Sequence, residues 1–367
     1  MAHELRAAGH GYLWPRMLFA SDGDSVQVWA VQSRPETKAP VRYLSNSHGE
    51  ISAGVFERAI DAFVAGVLAR LNAVSIEHTA LHELWSEILD ERHDKGASAD
   101  RKLEAMLGFD PDEAPNEVLK HLKALIRTAG SSAISEIAPV CATGNRAEIL
   151  NKIVSMVDAE GVSGRILLKR KALVDSRALP GWQRGREFAR EVRAVLGLNG
   201  SPVSDDQLCD LVGVDEKVIR EGMPPVARMP LGIAVRTGDE TVKFVLRKRR
   251  PEQRRFEMAR FICDHLISDH DDRWLPTTDQ KTSRQKAQRA FAGEFLCPID
   301  SLTEFLQDDF SNDAIDEAAE YFRVSPRAVE TQLVNHHILP SEILSARDGW
   351  FDFPYSSHAD GGWREAT

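Results

Sequence analysis

Across most of this chain apolar residues recur every three or four positions, and only two stretches alternate every second residue. A period near 3.6 gives a helix with one buried stripe, while a period of two gives a half-buried strand. The stripe Val55, Phe56, Ala59, Ile60, Phe63, Val67, Leu68 and Leu71 follows Ser52, a residue suited to cap a helix N-terminus. Trp85, Ile88 and Leu89 keep helical spacing, as do Leu103, Met106 and Leu107, and VLKHLKALI is amphipathic. Alternation appears in SVQVWAV, where Val26, Val28 and Ala30 share a face, and in LGIAVRTGDETVKFVL, two runs joined by a turn at Gly238. The expected class is α+β, mostly helical.

Punctuation divides the chain further. Pro111 and Pro115 break GFDPDEAP, so that one helix ends at Gly108 and the next starts near Asp112. The segment Lys169 to Trp182 reads as the main domain boundary. Five parts are expected: a small α/β element at 1–75, a helical scaffold with no chemistry of its own at 76–175, a second α/β region at 176–310, a helix pair at 311–345, and an aromatic tail at 346–367. Within 176–310 the helices are WQRGREFAREVRAVLGL, stopped by Gly197 and Gly200, then SDDQLCDLVG, RRFEMARFICDHLISDH, and TSRQKAQRAFAGEFLCP, ended by Pro298.

Composition narrows the class. No apolar run reaches the roughly 18–20 residues of a spanning helix, and the opening MAHELRAAGH lacks a signal peptide's apolar core, so a cytoplasmic protein with no membrane contact is expected. Cys141, Cys209, Cys263 and Cys297 lie far apart with no CxxC, which points to buried thiols and not to a zinc ribbon or disulfides. A net charge of −10 argues against coating nucleic acid globally, while leaving a local basic patch open.

Three pieces, RRFEMAR, RAFAGEFLCP and AAEYFRVSPRAVETQLVNHHIL, occur in that order. Together they resemble the ImmA/IrrE family of zinc metallopeptidase-like proteins over about residues 180–340. The resemblance implies a zincin-like peptidase domain at 176–310, a helix-turn-helix-like pair after it, and an N-terminal α/β plus helical extension. It also implies a role in mobile-element control, stress response or phage defence. In the family a helix reads His-Glu-x-x-His after an Ala. Two His at i and i+4 share a helix face and reach one zinc, and the Glu activates the bound water.

Anchored on Ala259, the resemblance puts Arg260, Phe261 and Asp264 at those three positions and Gln285 at the third ligand. The site is therefore expected to be degenerate, with no cofactor, in a pseudo-peptidase that binds instead of cutting. Arg260 and Asp264, four apart, are expected to pair in place of the histidines. One competing reading is an active zinc endopeptidase that cleaves a repressor-type protein through an atypical site of Asp264, His265, Asp269 and His270. Against it, His265 and His270 are five apart, roughly 500° around a helix, and do not share a face.

Residues 241–260 carry eight basic side chains against Glu252 and Glu257, and Lys281, Arg284, Lys286 and Arg289 follow on the next helix with no acid among them. Arg254, Arg255, Arg260, Arg284 and Arg289 are candidate contacts for an anionic ligand such as a nucleotide, phosphate or nucleic-acid strand. The alternative is a solvated face neutralised by the acidic segment from Asp308 to Glu320. In the terminal pair Ser325 and Pro326 read as N-cap and first helical residue. A second competing reading is a DNA-binding regulator using this helix pair, with Arg327, Thr331 and Asn335 facing DNA, although the acidic helix before them repels phosphates. His336 and His337 read as a helix end. Trp350, Phe351, Phe353, Tyr355 and Trp363 suggest a tail that docks on the body or a partner. A protein partner or an anionic ligand is expected, with nucleic acid left open.

Overall fold

The computed structural model describes residues 2–4, 15–34, 41–168, 179–222, 230–238, 241–340 and 343–344. These fall into two compact units, one up to Ala99 and one from Asp100.

The first unit begins with an antiparallel sheet of β1 (Ala2–Glu4), β2 (Arg16–Ser21), β3 (Ser25–Val31) and β4 (Ser47–Ser52), in sequence order. The register sets Phe19 opposite Val28 and Ser21 opposite Val26. That face meets α1 (Ala53–Ala73), where the Phe19 and Phe56 rings lie 5.5 Å apart. The alternation of Val26, Val28 and Ala30 is thus the helix-covered face of the sheet. Even so, α1 buries none of its residues, and Phe63 is 63% exposed. Next come α2 (Ala80–His93) and the start of α3 (Lys95–Leu107), whose residues from Asp100 on belong to the second unit.

In the second unit α4 (Asn116–Ala129), α5 (Ser131–Cys141) and α6 (Arg146–Asp158) follow. The start of α4 falls four residues beyond the expected Asp112. Asp112 takes a left-handed backbone (φ 66) and Pro115, which cannot continue a helix backwards, stands at the N-cap. The chain continues through β5 (Val162–Arg165), α7 (Gly181–Val195), α8 (Asp205–Val212), α9 (Lys217–Arg220), β6 (Gly232–Arg236) and β7 (Thr241–Val245). Then come α10 (Pro251–Ile267), β8 (Trp274–Thr277), α11 (Ser283–Leu296), α12 (Ile299–Leu306), α13 (Asn312–Phe322) and α14 (Pro326–Asn335). Residues 169–178, within the expected boundary segment, lie outside the described residues, as does the tail with its aromatic cluster.

The second sheet runs β5-β7-β6-β8, antiparallel throughout. β6 and β7 are the expected pair. β5 (VSGR) and β8 (WLPT) are too short, and too interrupted by Gly and Pro, to show alternation. Both faces of this sheet are covered. Ile233, Val245 and Trp274 join the core of α3 to α6, while Ala234, Phe244 and Leu275 join the core that holds α7, α8, α10 and α11. Burial on both faces is why LGIAV reads as a continuous apolar run. The fold is α+β and mostly helical. Among the described residues no helix is long and apolar enough to cross a membrane. All four cysteines are buried and unpaired.

Candidate functional site

α10 and α11 lie against each other on the face of the second sheet that carries Ala234, Phe244 and Leu275, and the loop after β8 leads into α11. Thr282 caps α11 by accepting the Gln285 N–H, which fixes where the first turn begins. Arg284, Gln285, Gln288 and Arg289 therefore lie on the turns nearest α10.

Arg260 and Gln285 do come together. Arg260 Nη2 donates to the Thr278 carbonyl at 2.7 Å, to Gln288 Oε1 at 3.2 Å and to Gln285 Oε1. Gln285 Oε1 also accepts the Thr278 N–H at 2.9 Å, and both amide NH2 groups donate to the Pro276 carbonyl at 3.0 and 3.1 Å. Arg260 is buried with no carboxylate in hydrogen-bond contact. Burial, with Arg289 nearby, pulls its guanidinium down to about 9. Phe261 is fully buried and tilts against Phe244, centroids 5.7 Å apart.

The expected Arg260–Asp264 pair does not form. Asp264 instead takes both prongs of Arg284, Nε to Oδ1 at 2.6 Å and Nη2 to Oδ2 at 2.8 Å. Arg284 Nη1 reaches Asp272 Oδ2 at 2.7 Å and Ser132 Oγ at 2.9 Å, and Asp272 Oδ1 accepts the Ala133 N–H at 3.2 Å. The reason is geometric, because a guanidinium facing the carboxylate across a helix interface can fork onto both oxygens. Burial alone would pull Arg284 down, but Asp264 and Asp272 outweigh it and hold the guanidinium above its ordinary range. Burial pushes the Asp272 carboxyl up. The helical region read as scaffold without chemistry therefore contributes directly. Ser132 and Ala133 of α5 reach this network, and Glu136, its carboxyl raised by burial, accepts from Thr282 Oγ1 at 2.6 Å.

Of the five candidate anion contacts, two converge. Arg289 donates to the Gln280 carbonyl at 2.8 Å and, like Arg260, to that of Thr278, at 3.4 Å. Arg254 is committed to the carbonyls of Ile219 (2.7 Å) and Arg220 (2.9 Å). Arg255 goes to those of Val203 (2.6 Å) and Arg323 (3.0 Å), and to Asp205. Their Cα positions lie roughly 120° and 140° around α10 from Arg260, which sends the three side chains to different neighbours. Arg284 is spent on its two carboxylates. Arg247, Arg255 and Arg284 of the basic stretch find their counter-charges in Asp205, Glu257, Asp264, Asp272 and Asp279.

The atypical metal set is not assembled. Asp264 is fully buried under Arg284, whereas Asp269 and His270 are exposed beyond the end of α10 and His265 is only partly buried. Among the described residues no three His, Cys, Asp or Glu side chains group as a metal site. In the terminal pair Ser325 caps α14 as expected, accepting the Ala328 N–H at 3.2 Å. Arg327 donates to the Leu344 carbonyl and Thr331 to the Arg327 carbonyl, both at 2.7 Å, while Asn335 is exposed. Val329 and Leu333 bury the opposite side of α14 in the core.

Sequence reasoning missed Asp272, Thr278, Asp279 and Gln288. Gln288 carries a readable signal, since it sits three residues after Gln285 on the same helix face. Asp272 and Asp279 sit in polar loops that read as solvated. No family model, no curated protein and no solved structure matches this chain.

Proposed function

We propose that this chain is an ImmA/IrrE-type pseudo-peptidase, a degenerate zincin-like protein that works by binding in the regulation of a mobile element, a stress response or phage defence. One observation carries the reading: Arg260 is hydrogen-bonded to Gln285, two positions where the resemblance would put zinc ligands, and also to the neighbouring Gln288. A guanidinium has no lone pair for a metal, and its charge opposes a dication. Phe261 offers no base. Asp264 is the one carboxylate at these positions, and both of its oxygens are taken by Arg284, while the Gln285 amide oxygen is taken by Arg260 and the Thr278 N–H. These residues do not fit a zinc ion, so no hydrolytic step is assigned to them.

The test is elemental analysis of the purified chain after dialysis against zinc. No stoichiometric zinc is expected. One tightly held zinc per chain, lost on Asp264→Ala, would overturn the reading in favour of an atypical metallopeptidase.

A further inference from the structure

Three arginines from different elements close on one short loop. Arg260 of α10 and Arg289 of α11 share the Thr278 carbonyl. Arg247, between β7 and α10, forks onto the next residue, Asp279, at 2.6 and 2.8 Å. Lys248 is close enough that burial, and then Arg247, lower its ammonium, while Asp279 opposes them. Two carboxylates are hydrogen-bonded within this group of four cations, and a third, Glu136, acts on Arg289 without a hydrogen bond to it. Glu257 is buried and taken up by the Arg247 side chain and by the N–H groups of Arg247 and Lys248. Asp279 is the other.

Arg260 touches neither of them, and among the described residues its buried Nε has no acceptor. Among the described residues Arg289 also ends on carbonyl oxygens, those of Thr278 and Gln280. Like charges gathered at partly desolvated positions are unfavourable unless an anion is shared among them. Asp279 is the cluster's solvent-facing counter-ion: its side chain is 75% exposed, while that of Arg247 is 7% exposed. Its carboxylate is held by one residue and can swing outward.

The geometry points to a phosphate-binding site on the loop from Thr278 to Gln280. There a phosphate group displaces the Asp279 carboxylate from Arg247 and is held also by Lys248 and Arg289, with the charge of Arg260 behind them. A phosphate brings nearly two negative charges and three acceptor oxygens, which suits several guanidinium forks better than one carboxylate does. This deepens the binding reading by naming a ligand class, but it does not depend on the zinc result.

Calorimetric titration of the full chain with inorganic phosphate, pyrophosphate and ATP, against sodium chloride at matched ionic strength, tests it. Saturable binding of at least one phosphate compound is expected. A response to inorganic phosphate alone identifies a free-ion site, and one that needs ATP identifies a nucleotide site. Asp279→Asn removes the competing carboxylate from an exposed position and should tighten binding several-fold. Arg289→Gln should weaken it by about tenfold or more, the scale of one lost charged contact. No saturable binding by either the wild type or Asp279→Asn, both folded by circular dichroism, overturns the inference. So does binding that Asp279→Asn weakens and Arg289→Gln leaves unchanged. Either failure leaves the metal analysis standing as a separate test.

Discussion

Arg284 grips Asp264 by two parallel hydrogen bonds across the interface of α10 and α11, and both residues are buried. A third arm of the same guanidinium holds Asp272, which in turn takes a backbone N–H from α5. One arginine thus ties two helices, the loop before β8 and the helical layer on the other face of the sheet. Arg284→Met should destabilise the second unit by about 3–5 kcal/mol, because it leaves two buried carboxylates without their cation. Adding Asp264→Leu should recover part of that loss, and Asp272→Asn more. Urea denaturation of the set reads this directly, and a coupling energy near zero between positions 264 and 284 would contradict it.

Arg260→Met should behave differently. Arg260 has no carboxylate in contact, so its removal strands no ion. Gln285 Oε1 keeps the Thr278 N–H and the Thr278 carbonyl keeps Arg289 at 3.4 Å, so only Gln288 Oε1 is left with no donor. That orphaned oxygen costs about 1–3 kcal/mol, offset by relief of a buried cation. The net loss is expected to be less than half that of Arg284→Met in the same denaturation experiment. Equal losses would mean that the Arg260 charge itself stabilises the fold.

These two arginines mark how far the sequence could be read. Periodicity and caps place α10, α11 and the β6–β7 pair, and they place Arg260, Phe261 and Asp264 on one helix. The i, i+4 spacing of Arg260 and Asp264 is a true local relation, yet the pair is not made. A partner twenty residues away, on a helix whose crossing no local pattern encodes, offers Asp264 the better geometry. Ser132, Ala133 and Asp272 were illegible for the same reason. Their roles depend on how two layers stack on a sheet, and periodicity within each segment says nothing of that. Gln288 was legible in principle, being on the face already assigned to Gln285.

Glu136 sets a pH dependence. Burial raises its folded carboxyl above the ordinary 4.5, with the Arg284 charge and the Thr282 hydroxyl only partly opposing this. The folded state then holds a proton that the unfolded chain has released, so the contribution to stability is full below 4.5 and is lost as pH rises through the raised folded value. Asp272, also raised by burial, acts in the same direction. Glu136→Gln keeps an oxygen for the Thr282 hydroxyl and removes the titration. It should flatten the decline of stability above pH 4.5 and be the more stable protein at neutral pH. Denaturation midpoints measured from acid to neutral pH decide this, and a variant with the wild-type slope would refute it.

Two glycines should respond to alanine with opposite signs. Gly185 of α7 packs so close to α11 that an added Cβ would lie 2.0 Å from the Ala287 carbonyl oxygen, and at Gly181, one turn earlier, it would lie 2.3 Å from that of Ser283. Both obstacles are backbone, which cannot rotate aside as a side chain can. Gly185→Ala must therefore push α7 off α11, and overpacking of this kind costs about 1–3 kcal/mol or more. Because α11 carries Arg284, Gln285 and Arg289, the displacement should also loosen the polar network, seen as faster amide exchange at Gln285. Gly66, in the middle of α1, has nothing within 4 Å of its added Cβ and ordinary helical backbone. Gly66→Ala should stabilise α1 by about 0.5–1 kcal/mol through the lower backbone entropy of the unfolded chain. Thermal unfolding followed by circular dichroism, with amide exchange to locate each effect, separates the two. A neutral Gly185→Ala would show that α7 and α11 can part without cost.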